Sequence, residues 1–173
     1  MMRLGDLAAW NGQTADALRH YGDALSVNPA TRLDHNWIQT SYSAKQRLEL
    51  YGGAADRAAK REGIDQTQLA ALEWYAGRAA LDLGDDAKCL EWFSRVLGRT
   101  PTDAGARYYA FRSAFVTRET ARAVELALEG ARKHIVPFAD VVKALDATAK
   151  AQFISPVRTL ASKNRSNLPI CRD

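Results

Sequence analysis

The chain has only two cysteines in 173 residues, Cys89 and Cys171, too few for a disulfide framework. Cys89 falls on a stripe of small residues and is expected to be buried and inert, so cysteine usage assigns no redox compartment. Proline is also scarce: of five, four stand where a helix would begin or end. No run of eighteen apolar residues occurs, so no integral membrane segment is expected. The first residues, MMRLGDLAAWNG, lack the apolar core of a signal peptide. The three histidines, His20, His35 and His134, share neither an i, i+4 spacing nor a carboxylate cluster, and no metal site is expected. Phosphate-binding glycine loops, serine elbows and dinucleotide fingerprints are all missing. The expectation is therefore a protein without catalytic machinery and without a cofactor.

Asp82, Asp85 and Asp86 crowd around Gly84 but lack the ligand series of a calcium loop. Acids ahead of a helix favour its dipole in any case. The formal charge of +4 is carried by the chain from Lys150 onward, and the preceding residues are neutral. A basic end could touch phosphates. It has no interleaved aromatics of the kind single-stranded nucleic acid stacks on, so no nucleic acid partner is expected.

What is present is alanine-rich helical patterning with a repeated order of residues. In GQTADALRHYGDALSVNP, Gly12 is followed by Ala17, Tyr21, Ala24 and Pro29. In GDDAKCLEWFSRVLGRTP, Gly84 is followed at the same spacings by Cys89, Phe93, Val96 and Pro101. Residues three and four apart share a helix face, so each stretch carries a small, large, small stripe. Small residues let a neighbouring helix approach, the aromatic fills the space beside it, and the proline ends the unit.

This order resembles the tetratricopeptide repeat, a 34-residue helix–turn–helix unit. Leu4-Gly5 and Ala76-Gly77 match its upstream pair of a larger and then a small residue, while Glu73 stands where that family places a large aromatic, with Trp74 one step along. The resemblance implies an all-α, right-handed α-solenoid of helical hairpins that binds other molecules. Units are expected at about 1–31, 32–64, 65–101 and 102–135, then a capping helix over 138–161 and a basic tail over 164–173. The cap is expected because the last hairpin of such an array would otherwise expose its apolar face.

In the divergent second unit, the pair Gly52-Gly53 predicts a turn between a helix from about Arg32 to Tyr51 and one from about Ala54 to Arg61, with Ala55 and Ala59 on its packing stripe. Asp65 reads as an N-cap with Gln68 completing a capping box. Asp103 is expected to cap a helix over Ala104–Phe115, and a turn near Thr117 leads to a helix ending near Lys133. That last helix carries the stripe Ala123, Ala127 and Gly130.

In the tetratricopeptide family the first helix of each pair lines an inner groove. Carried over by position, the resemblance implies Trp74, Arg78, Leu81 and Asp82 from the third unit, Tyr108, Arg112 and Phe115 from the fourth, Asn36, Thr40 and Ser43 from the second, and Asp6 and Trp10 from the first. Two aromatic–arginine pairs, Trp74/Arg78 and Tyr108/Arg112, suit an extended ligand bearing carboxylates, a peptide or an acidic sugar. Packing between helices is the competing reading for the rings. The family's clamp for chaperone tails is missing, because Met2, Asp6, Trp37, Ala71 and Tyr75 occupy its positions.

Function is expected to be that of a non-enzymatic protein–protein interaction scaffold. The phrase LAAWNGQTADALRHYGDALSVNP is also similar to repeats in periplasmic scaffolds of bacterial exopolysaccharide export machines, which keeps a carbohydrate-contacting module as the alternative. Met1 falls inside the first helix of the first unit, which suggests a piece of a longer protein. A cytoplasmic location is expected for a complete chain and a periplasmic one for a piece of an exported parent. Apolar surface on that first hairpin leaves a homodimer open.

Overall fold

The structure, a computed structural model, describes residues 2–132. The expected cap at 138–161, the tail at 164–173, His134 and Cys171 lie outside the described residues. Among the described residues the chain is all-helical, with no strand. The helices are α1 (Met2–Trp10), α2 (Thr14–Val27), α3 (His35–Ser41), α4 (Ala44–Ala58), α5 (Gln66–Leu83), α6 (Asp86–Arg99), α7 (Ala104–Val116) and α8 (Thr120–Arg132). The chain divides into two compact units, one ending at Pro101 and one beginning at Thr102. In the first, α1 packs on α2, α2 on α4, α4 on α5 and α5 on α6; in the second, α7 packs on α8.

Short polar side chains start these helices. Asp34 accepts from the Trp37 amide, Asp65 from the amides of Thr67 and Gln68, Asp85 from Lys88 and Asp103 from Ala106. Each such cap contributes about 1 kcal/mol. The reciprocal capping box expected at Asp65/Gln68 occurs instead at Ser43 and Gln46, whose side chains each bond the other's backbone amide. Left-handed residues follow three of the first helices: Gly12 (φ 73°), Gly84 (φ 79°) and, against the usual glycine preference, Arg118 (φ 64°).

The capping box at Ser43 relocates the turn expected within the stretch 32–64. The expected long helix from Arg32 to Tyr51 is broken at Tyr42-Ser43, where both residues are extended, and α4 continues through Gly52 and Gly53. Gly52 is needed for packing rather than turning. A Cβ there would stand 2.9 Å from the Trp92 ring of α6. The packing residues of α4 are accordingly Ala55 and Ala58, both fully buried, while Ala59 is the exposed C-cap.

The stripes themselves are inside: Ala17, Tyr21 and Ala24 on α2, Cys89, Phe93 and Val96 on α6, and Ala123, Ala127 and Gly130 on α8. Two hairpins share one key. A Cβ on Gly5 would sit 2.5 Å from the Tyr21 ring, and a Cβ on Gly77 would sit 2.9 Å from the Phe93 ring. In each case a first-helix glycine admits the aromatic sixteen residues further on. Glu73, at the expected aromatic position, is completely buried and supplies a polar substitute for that wedge. Arg95 donates from Nε to one of its carboxylate oxygens at 3.0 Å, and Arg99 donates from Nε to the other at 2.7 Å. Arg95 then reaches Asp56 of α4 at 2.8 Å and covers the Trp92 ring at 4.1 Å. A buried carboxylate is tolerated only when its lone pairs are filled in this way.

Candidate functional site

The first unit contains a cleft of about 330 Å³ walled by α3, α4 and α5. Its residues are His35 and Gln39 from α3, Arg47 and Tyr51 from α4, and Trp74, Tyr75 and Arg78 from α5. Spacing explains each contribution. His35/Gln39, Arg47/Tyr51 and Trp74/Arg78 are all i, i+4 pairs, so each helix turns one strip toward the opening.

One side of the cleft is a stack of rings. His35 lies parallel to Tyr75 with centroids 4.0 Å apart and an interplanar angle of 16°. Tyr51 stacks against Tyr75 at 5.1 Å, and its hydroxyl lies 2.9 Å from Nδ1 of His35. Burial holds the His35 imidazole below its usual pKa despite the opposing pull of Asp34, and pushes the Tyr51 and Tyr75 phenols up. The stack is therefore neutral near pH 7.

The other side is charged. The Arg78 guanidinium lies 5.8 Å from the centroid of Trp74, a cation–π contact. Trp74 is braced edge-on by Tyr75 at 5.8 Å and by Phe93 at 6.2 Å, so its ring is fixed rather than free to swing. Arg47 is buried and donates from Nη1 to Asp82 Oδ2 at 2.9 Å, and Arg78 Nη2 lies 4.0 Å from Asp82 Oδ1. Arg47 Nε is buried with no hydrogen-bond partner among the described residues.

The residues expected from the sequence are thus distributed unevenly. Trp74, Arg78 and Asp82 gather around this cleft. On α3 the lining residues are His35 and Gln39 instead of Asn36 and Thr40, which are exposed; Thr40 bonds back to the carbonyls of Asn36 and Trp37. Ser43 is the N-cap of α4 rather than a first-helix residue. Tyr108, Arg112 and Phe115 belong to α7 of the second unit. There Tyr108 is exposed and edge-on to Tyr109 at 5.5 Å, Arg112 is exposed, and Phe115 is half-buried and stacked on Phe111 at 6.5 Å. In the first unit, Asp6 accepts the Tyr21 hydroxyl at 2.8 Å and Trp10 is 91% exposed.

His35, Gln39, Arg47, Tyr51 and Tyr75 were not legible as site residues in the sequence. The Ser43-x-x-Gln46 box was the available signal, since it starts α4 at Ala44 and places Arg47 and Tyr51 on a second helix. The acids around Gly84 have structural occupations: Asp85 caps α6 and Asp82 pairs with arginine. Among the described residues no group of three or more His, Cys, Asp or Glu side chains is placed to hold a metal ion. No described helix is long and apolar enough to cross a membrane. Two guanidiniums, an imidazole and an amide between aromatic walls form a setting for a carboxylate attached to a flat or apolar group.

No protein-family model matches this chain, and neither a curated protein nor a solved structure matches it.

Proposed function

We propose that the chain is a tetratricopeptide-like module, a right-handed α-solenoid of hairpins that holds an extended segment of a protein partner and catalyses no reaction. The observation that carries this reading is the cleft in which Trp74, braced by two rings, and Arg78, lying against its face, stand beside buried Arg47. A fixed ring and a forked donor offer a partner side chain apolar area and charge-assisted hydrogen bonds with little ordering cost. The second unit repeats the pairing in sequence with Tyr108 and Arg112, both exposed.

The test is capture of a partner from an extract of the source organism by the intact protein, with Arg78→Ala/Arg112→Ala as control. Capture is expected to fall at least tenfold while helicity and melting temperature stay close to wild type, because Arg78 is only half-buried and Arg112 is exposed. Partner capture that survives both substitutions removes the reading. Selective retention of an acidic polysaccharide in place of protein would transfer it to the carbohydrate-contacting alternative.

A further inference from the structure

Asp82 is a carboxylate shared by the two arginines of the cleft, and its position is unusual. It lies in the last turn of α5, which carries no basic residue, where the helix dipole disfavours an acid. What holds it there is Arg47 at 2.9 Å and Arg78 at 4.0 Å. That arrangement is incomplete as ion pairing. Asp82 engages Arg47 through one oxygen on Nη1, and Arg47 Nε stays buried and unpaired although a guanidinium pairs best through two parallel bonds. Arg47 itself is 9% exposed, so its charge is costly to leave without an anion. The open volume next to this pair also carries Gln39 and His35 as hydrogen-bonding groups and Trp74 as a flat wall.

We propose that Asp82 is an internal stand-in for a carboxylate of the partner, and that an aspartate or glutamate side chain of the bound segment displaces it between Arg47 and Arg78. This rests on the interaction-module reading and adds the chemistry of the recognised side chain. Asp82 then acts against binding: it keeps Arg47 paired in the empty protein and sets the affinity threshold an acidic segment must pass. A neutral segment has no carboxylate to exchange for it, so Asp82 weakens the acidic segment alone and leaves the neutral one unaffected.

The probe is a labelled, end-blocked peptide Gly-Phe-Glu-Phe-Gly, with Gly-Phe-Gln-Phe-Gly as its neutral twin, titrated by fluorescence anisotropy into the full chain. Asp82→Asn is expected to tighten the acidic peptide about fivefold, the scale of a part-buried ion pair, and to leave the neutral one unchanged. Arg78→Gln is expected to weaken the acidic peptide about tenfold. Asp82→Ser replaces the asparagine variant should melting show that the latter does not fold.

Weaker or unaltered binding of the acidic peptide by the Asp82 variants overturns the proposal, as does equal tightening of both peptides. Absence of acidic-peptide binding to wild type and Asp82→Asn alike overturns a carboxylate site here. Tightening seen with an oligogalacturonate and not with the peptide overturns the protein source of the carboxylate. Partner capture lost on Arg78 substitution alongside any of these results leaves the interaction module standing without the stand-in.

Discussion

In the α5/α6 hairpin of the first unit, Gly77 on the first helix makes room for Phe93 on the second; in the α7/α8 hairpin of the second, the positions 34 residues later hold Phe111 and Ala127, both buried. The bulk has changed sides. The ion pairs change sides as well. Buried Glu73 accepts from Arg95, whereas at the same offset buried Arg107 donates from Nη1 to Glu129 at 2.7 Å. The turn shows a third difference: Gly84 ends α5 at φ 79°, and Arg118 follows α7 at φ 64°. The two hairpins thus each set one large against one small residue and one acid against one base at these positions, while exchanging which helix supplies each part. Close packing requires only that the sum be right. The stripe Ala123, Ala127 and Gly130 therefore has no large aromatic of its own, and Phe111 supplies the bulk from the other helix.

The sharpest way to break this comparison is at the core. Phe93→Ala is expected to cost about 3–5 kcal/mol in urea denaturation. Adding Gly77→Phe copies the second hairpin's arrangement and should recover more than half of that loss; a double variant no more stable than Phe93→Ala would show that the hairpins are not equivalent. Next in size is the charge exchange. Arg107→Glu alone faces Glu129 and should destabilise strongly, and Glu129→Arg in addition should restore much of it. A double-mutant cycle is expected to give a coupling of about 1–3 kcal/mol, and a coupling near zero would demote the pair to an incidental contact. The smallest effect belongs to the turn. Arg118→Gly relieves a left-handed backbone and should gain about 1 kcal/mol, and Gly84→Ala should lose a similar amount. A Cβ at Gly84 meets nothing within 4 Å, so the backbone alone decides that result. Equal melting temperatures for all three proteins would sink the argument from φ.

Legibility followed the punctuation. The hairpins α1/α2 and α5/α6 are marked by Gly12 and Pro29 and by Asp65, Gly84 and Pro101, and Asp103 marks the start of α7; these act within a few residues of themselves. The stretch 32–64 did not read correctly, because Gly52-Gly53 looks like a turn when only local propensity is considered. The distant Trp92 ring requires Gly52 inside a helix, and nothing near position 52 announces it. The cleft was half legible for the same reason. Trp74, Arg78 and Asp82 share one face of one helix, which spacing reveals. His35, Arg47 and Tyr51 join them only once three helices have packed.

What this sequence determined by itself is local: which segments are helical, where most of them start and stop, and which small and aromatic side chains face inward, since caps, turns and the 3.6-residue period act between near neighbours. Tertiary structure alone decided that Glu73 is buried under two arginines, that Gly52 is a packing residue, and that Asp82 stands between Arg47 and Arg78. Each of those outcomes depends on a side chain more than twenty residues away, and contacts at that range are fixed by how helices stack rather than by any pattern within one of them.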